Sequence, residues 1–308
     1  MKNKKLSVSV GICAFNEEAN IRKLLVEITD QRGDNFYLEE IIVVSDNSSD
    51  STIEQVRRIK DNRIILNSNK RRLGKALSQN KIMEAFSGDL LILLDADILL
   101  LDKNFISKAI EPFQLDSHFG LIGLKTMPIA GSGFFEKIIN FSDQYKKAIF
   151  EKWNKGDNLF MCQGRGRVFS RKFAKQLKWP STASEDAFAY LSCISKGDVF
   201  KYNPLAVVYY KSPSNFFDHR KQSSRFISGP RIMSKYFEET VIKNNYQIPK
   251  FLLVTTAIEY LAKNPLYFLS YFFIFILIKI STRKNSSKLA TWQISQSSKL
   301  INNVSRVG

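Results

Sequence analysis

Five consecutive apolar residues, 90–94, run straight into Asp95-Ala96-Asp97. Two carboxylates spaced two apart at the end of such a run are the sharpest chemical signal in the chain. After Gly88-Asp89 the run reads as a buried central strand, which brings both acids to the C-terminal edge of a sheet, where open α/β proteins bind ligands. Hard oxygen donors there suit a divalent cation, Mg2+ or Mn2+, that in turn binds phosphate oxygens. The plain alternative is a helix cap. Other residues must decide between the two.

Four further groups have types and spacings that could serve the same chemistry. Asp46 ends an apolar run and opens the polar turn 46–52, where a carboxylate could accept hydrogen bonds from a nucleobase or ribose. Asp50 and Ser51 in that turn read more simply as helix capping. Gly74-Lys75-Ala76 opens a helix after Lys70-Arg71-Arg72, an anion site in character but without the spacing of a P-loop. Ser184-Glu185-Asp186 precedes an apolar helix, either as a cap or as the source of a general base for an acceptor hydroxyl. Gln222 and Arg225 lie three apart on a basic helix and so share a face. Arg225 there could neutralise a pyrophosphate leaving group, with Phe226 stacked beside it. Between these groups, Gly164-Arg165-Gly166-Arg167 lets backbone approach a donor or acceptor sugar, with Arg165 or Arg167 toward a lipid phosphate. A tight basic surface turn is the alternative.

Strands expected at 6–14, 41–45, 64–66 and 90–94 alternate with helical patterns, among them 73–86. Polar clusters follow the strand ends. That rhythm predicts an α/β fold with a mostly parallel sheet and crossover helices. It loosens after Asp97, where a helix at 105–113, a strand at 119–127, a long helix at 134–153, a strand at 198–210 and a basic helix at 216–238 are expected. The basic helix should be interrupted near Gly229-Pro230.

The formal net charge of +17 over 308 residues favours anionic partners: phosphorylated substrates, anionic lipid or nucleic acid. Three cysteines form no metal-ligand spacing and no paired framework, so Cys13 and Cys193 read as core thiols. Two histidines leave little room for histidine-based chemistry. The basic start 1–5 leads into a strand pattern rather than a signal peptide, which places the catalytic part in the cytosol. Beyond Pro249 the composition shifts. Residues 251–261 are apolar apart from Glu259, Asn264-Pro265 breaks the pattern, and 266–278 is almost purely aromatic and aliphatic. A bilayer span needs about 20 apolar residues. This run is shorter, with Lys263 before it and Lys279, Arg283, Lys284 and Lys288 after it. A broken pair of helices lying in the membrane interface, or re-entrant there, is the expectation, ahead of a single span or a buried soluble-core or dimer helix.

Taken in order, Phe15-Asn16-Glu17-Glu18, Asp46, Gly74-Lys75, Asp95-Ala96-Asp97, Glu185-Asp186 and Gln222-x-x-Arg225-Phe226 resemble the family 2 glycosyltransferases of the GT-A fold. Within that family the Glu-Asp pair and Gln-x-x-Arg are most similar to the branch of cellulose, chitin and hyaluronan synthases. Phe226 stands where that branch has Trp. The resemblance implies a GT-A domain over 1–240, followed by membrane-associated helices and a basic tail over 241–308. It implies donor contacts from Phe15, Asn16, Glu18, Asp46, Lys75, Asp95, Gln222, Arg225 and Phe226, a metal at Asp97, and Asp186 as catalytic base. Glu185, Gly164 and Arg165 would border the acceptor. The reaction expected is an inverting, metal-dependent transfer of one or a few sugars from a nucleoside-diphosphate sugar, UDP-linked by the resemblance, to a lipid-linked or glycan acceptor. That places the chain at the cytoplasmic face of the cell membrane, in polysaccharide, glycolipid or cell-envelope biosynthesis. A catalytically silent scaffold of a polysaccharide-assembly complex is the alternative. A nucleic-acid binder would explain the charge but not the carboxylate-ended strands, and a nucleotidyltransferase would need a glycine-rich loop where Ala14-Phe15-Asn16-Glu17 stands.

Overall fold

A computed structural model describes residues 5–116, 118–182, 184–284 and 297. Lys288, expected to flank the apolar run, and most of the basic tail lie outside the described residues. The strands are β1 (Leu6–Ala14), β2 (Phe36–Ser45), β3 (Ile64–Ser68), β4 (Leu90–Asp95), β5 (Ile98–Leu99), β6 (Phe119–Pro128), β7 (Gly166–Ser170) and β8 (Val199–Tyr210). They form one sheet in the order β3-β2-β1-β4-β7-β6-β8-β5. Only β7 and β5 run against the rest. The expected mostly parallel sheet is therefore present.

Its parallel half is built as the pattern required. In β4 all five residues before Asp95 are buried, and the helix α1 (Ile21–Thr29) turns Ile21, Leu24, Leu25 and Ile28 onto the sheet. The helices α2 (Thr52–Arg57), α3 (Lys75–Ala85) and α4 (Phe105–Leu115) complete the crossovers. Gly11 in β1 lets α3 approach closely, since a Cβ there would sit 2.5 Å from Ile82 Cγ2. Strand β2 begins earlier than its polar start, Tyr37 to Glu40, suggested. Buried Glu40 explains this, because it accepts hydrogen bonds from Ser9 Oγ at 2.7 Å and from Ser87 N and Oγ at 2.6 and 2.8 Å.

The second half departs further from the sequence pattern. Residues 166–170, expected within a turn, form the central antiparallel strand β7, followed by α6 (Arg171–Gln176). Helix α5 (Phe134–Lys152) precedes them, and α7 (Glu185–Ser195) and α8 (Phe216–Met233) follow. Pro230 lies inside α8 rather than interrupting it; the helix ends one turn later, so the lost N–H bond falls where few remain to be made. Then come α9 (Glu239–Tyr246), α10 (Lys250–Lys263) and α11 (Pro265–Lys284), with Asn264 capping α10 as the break at Asn264-Pro265 foretold. The expected division at residue 240 falls within α9.

Helices α10 and α11 pack on the long α5 through aromatic edges. Phe141 meets Tyr260 at 5.4 Å, Tyr145 meets Phe268 at 5.5 Å, and Lys152 pairs with Glu259 at 2.8 Å. Ile274 and Ile278 of α11 bury against Ile138 of α5. The outward faces are apolar as well: Phe251, Val254 and Ile258 on α10, and Leu266, Leu269, Phe273, Ile276 and Ile280 on α11, are exposed. No helix among the described residues is long and apolar enough to cross a membrane.

Candidate active site

The C-terminal ends of β1, β2 and β4 open into a cleft of about 420 Å³, in the range of sites that enclose small molecules. Its far walls come from residues 159–165, from the start of α7, from α8 and from Tyr246 of α9. Of the residues singled out in the sequence, Phe15, Asp46, Lys75, Asp95, Asp97, Gly164, Arg165, Glu185, Asp186, Gln222, Arg225 and Phe226 all line it. Asn16 and Glu18 do not. They lock the loop after β1 to the loop after β2: Asn16 Oδ1 accepts from Ser49 N at 2.9 Å and Glu18 Oε2 from Ser51 N at 2.9 Å. Asn16 holds a left-handed φ of 53° to do so, a conformation asparagine tolerates. The neighbour Glu17 faces the cleft instead.

Asp46 is buried and braces its surroundings. Its Oδ1 accepts from Asn69 Nδ2 and Leu73 N, both at 2.8 Å, and its Oδ2 from Gly74 N at 2.8 Å. These bonds fix the loop before α3. Gly74 there has φ +91°, which favours a residue without a side chain. Arg72 of the same loop lies over the Phe15 ring at 4.0 Å.

Lys75, the first residue of α3, joins two parts of the cleft. Its Nζ is 2.5 Å from Asp95 Oδ1 and 2.7 Å from Glu185 Oε1, and it donates to Gly164 O at 3.3 Å. Burial works against the charged amine, but Asp95 and Glu185 more than reverse that and hold it protonated. A Cβ on Gly164 would come within 2.9 Å of both Lys75 Nζ and Glu185 Oε1, so a side chain at this position would push the bridge aside.

Glu185 and Asp186 start α7, and their environments separate them. Burial pushes Glu185 upward, yet the Lys75 and Arg167 cations outweigh it and leave the carboxyl below its ordinary range. Burial, then the neighbouring Glu185 charge, push Asp186 above its ordinary value. A half-buried carboxylate poised above the usual range, with no ion pair to a cation among the described residues, is what a general base needs. Beneath the pair sits Arg167 of β7, fully buried, with Nη1 donating to Glu185 O at 3.3 Å and with Nε and Nη2 finding no hydrogen-bond partner among the described residues. Trp179 Nε1 donates to the same carbonyl at 2.7 Å. Sequence reasoning missed Arg167 as a core residue, because Gly164 and Gly166 just before it read as a turn.

Across the cleft, Gln222 and Arg225 point inward from α8. Burial lowers the Arg225 guanidinium, and the nearby Glu185 and Asp186 oppose that shift. Phe226 borders the cleft with 68% of its surface exposed. Tyr246, Phe160 and Cys162 also line the site, and nothing in their sequence surroundings marks them. All three cysteines are free and buried.

Among the described residues no three histidine, cysteine or carboxylate side chains converge to hold an ion. Asp97, beside Asp95, nevertheless fits a hard divalent cation that completes its shell with substrate oxygens, since such ions commonly take one or two carboxylates plus phosphates. One Asp95 oxygen is engaged by Lys75, which leaves its other oxygen to join Asp97 at such an ion.

Comparison with known proteins agrees with this architecture. The sequence profile of Glycosyl transferase family 2 matches residues 9–178. An uncharacterized glycosyltransferase of Methanocaldococcus jannaschii is 33% identical over 213 residues, covering 67% of this chain and 71% of that one. Among solved structures, a mannosyltransferase of Pyrobaculum calidifontis in complex with GDP-Man and Mn2+ superposes with a TM-score of 0.60 at 16% identity, over 93% of this chain and 82% of that one. A glucosyl-3-phosphoglycerate synthase of Mycobacterium tuberculosis, solved with Mn2+, UDP and its product, gives 0.54 at 16% identity, over 74% and 79%. At such identity these structures bear on the fold, and none of these matches reaches the finer likeness to the polymer synthases.

Proposed function

The chain belongs to glycosyl transferase family 2, and from that premise we propose that it is an inverting transferase moving a sugar from a nucleoside-diphosphate sugar to a membrane-held acceptor. The observation that carries the reading is convergence. The Asp95–Asp97 corner, the Asp186 helix start and the Gln222–Arg225 face meet in one cleft although they lie far apart in sequence.

In this reading Asp46 and Phe15 receive the nucleotide. Three of the roughly four acceptor positions of the Asp46 carboxylate are occupied by the protein. The one left on Oδ2 suits the single imide N–H of uracil better than the paired donors of guanine, which favours a UDP-sugar. Mn2+ or Mg2+ at Asp97, when bound, would neutralise charge on the diphosphate. Arg225 and Gln222 would hold the diphosphate from the opposite wall, and Arg225 would stabilise the charge that grows on it as it leaves. Asp186 would take the proton of the acceptor hydroxyl as that oxygen attacks the anomeric carbon. The C1–diphosphate bond breaks as the new bond forms, so one base suffices. Glu185 does not compete for the role, because Lys75 keeps it paired.

The outward apolar faces of α10 and α11, with exposed Lys250, Lys263 and Lys279 at their margins, support attachment to the cytoplasmic face of an anionic membrane. Phe217, Phe226 and Ile227 of α8 are exposed as well. A lipid-linked or glycan acceptor in envelope or polysaccharide synthesis fits that setting.

The test is a panel of UDP- and GDP-sugars offered to the purified protein with Mn2+, scored for donor hydrolysis and transfer. Turnover that disappears in Asp97→Asn and Asp186→Asn supports the assignment. Equal turnover in Asp186→Asn removes Asp186 as base, and no turnover with any donor favours the silent scaffold.

A further inference from the structure

We propose that Arg165 binds an oxyanion carried by the acceptor, a phosphate or carboxylate close to the attacking hydroxyl. The inference rests on the reading of the cleft as a sugar-transfer site and specifies its acceptor chemistry.

The cations of the cleft differ in what already engages them. Lys75 is paired with Asp95 and Glu185. Arg72 covers Phe15 on the nucleotide side. Arg225 faces the place assigned to the diphosphate. Arg165 makes neither an ion pair nor a side-chain hydrogen bond with the described residues; its guanidinium carbon lies over the Tyr210 ring at 3.7 Å. A ring stacked on a guanidinium fixes its plane and leaves its N–H edge open, the geometry that grips a carboxylate or phosphate with two bonds.

Its location fits the acceptor rather than the nucleotide. The Arg165 carbonyl accepts from Asp95 N at 3.2 Å, which ties the residue to the metal corner. Its neighbour Gly164 faces the base, with Asp186 Cβ 3.9 Å from where a side chain would begin. Arg165 is therefore rooted between the leaving group and the base, where an incoming hydroxyl must pass. The support behind it is rigid. Gln163 accepts from Thr126 Oγ1 at 2.7 Å, Lys147 donates to Thr126 O, and Lys147 pairs with Asp143 at 2.5 Å. Burial works against the charge of Arg165, but Tyr210 first, then Asp143, Asp97 and Asp95, outweigh it through space and keep the residue charged. A half-buried cation with no bonded counter-ion, on the acceptor's path, is a site for an anionic group.

The full chain would be titrated with inorganic phosphate by calorimetry, both free and saturated with UDP and Mn2+. Competition arms would use glycerol 3-phosphate, phosphatidylcholine vesicles, and the same vesicles carrying polyprenyl monophosphate. Phosphate should bind the UDP-loaded protein, and Arg165→Gln should weaken it at least tenfold while changing UDP affinity less than twofold. Arg165→Lys should fall between. Displacement by glycerol 3-phosphate identifies a soluble phosphorylated acceptor, and displacement only by the polyprenyl-phosphate vesicles identifies a lipid. Undiminished phosphate binding in a folded Arg165→Gln overturns the proposal, as does no phosphate binding by the UDP-loaded wild type. An equal loss of UDP and phosphate affinity also overturns it, by assigning Arg165 to the donor. Failure of the wild type to bind UDP would instead sink the donor reading, and the titration of the free protein would still report on Arg165.

Discussion

The two walls of the cleft are built on different principles. The wall at the ends of β1, β2 and β4 has satisfied most of its polar groups: Asp46 accepts three bonds, Asn16 and Glu18 lock two loops, and Lys75 bridges two acids. The opposite wall, from residue 164 to α9, presents Arg165, Asp186, Gln222 and Arg225, whose charged or polar ends meet little of the protein. One wall is assembled before a ligand arrives, while the other keeps groups in reserve for charge that the substrates bring. Preorganised dipoles on one side and uncommitted charges on the other is the division that electrostatic catalysis exploits.

The contrast fixes what substitutions should do. On the reserve wall, Asp186→Asn should lower kcat/KM by about 100- to 10,000-fold, the usual worth of a positioned base. It should do so without unfolding the protein. The folded pKa of Asp186 is raised by burial and by Glu185, so its stabilising contribution is complete below the unfolded pKa and is lost as pH rises through the folded one. At neutral pH the asparagine variant should therefore melt higher than wild type. The gap should close on acidification, and a lower melting temperature at pH 7 would refute the sign. The wild-type rate should rise with pH through an apparent pKa above the ordinary carboxylate range, a limb absent from Asp186→Asn.

On the assembled wall the pattern should reverse. Lys75→Met leaves Asp95 and Glu185 buried with their cation gone, which should destabilise the fold by about 3–5 kcal/mol. Denaturant titration would show this, and activity and stability should fall together. Arg225→Ala, back on the reserve wall, should reduce turnover by about ten- to a hundredfold, corresponding to a lost charged hydrogen bond of about 1.5–3 kcal/mol, with an unchanged melting temperature. Smallest for the soluble reaction is the paired change Leu269→Asp and Phe273→Asp on the outer face of α11. Flotation with anionic vesicles should be abolished, while donor hydrolysis in solution stays within about twofold, since surface changes away from the site rarely matter more.

The same division explains what could be read in the chain. Strand ends on the assembled wall announce themselves, because an apolar run that stops at a carboxylate is a local pattern. Residues 41–45 and 90–94 are of that kind, and so are the buried thiols Cys13 and Cys193. The other wall depends on tertiary placement. Strand β7 is short and carries a buried Arg167 just after Gly164-Arg165-Gly166, so its composition reads as a surface turn. Tyr246 and Phe160 reach the cleft because helices fold over it, and no periodicity records that. Glu40 shows the converse: the pattern predicts the strand only from residue 41, whereas three bonds from Ser9 and Ser87 keep Glu40 buried within it.

Gly164 sets a limit on how this site can vary. The ion bridge from Asp95 through Lys75 to Glu185 passes beside the place where its side chain would stand, and even a methyl group would come within 2.9 Å of two of the three partners. Alanine is the smallest change a protein can make at that position, yet here it would compete with a buried charge network for the same space. In a library of variants, alanine at position 164 should lower activity by displacing that bridge, though the position carries no reactive group. The site is defined by a space kept empty as much as by the charges around it.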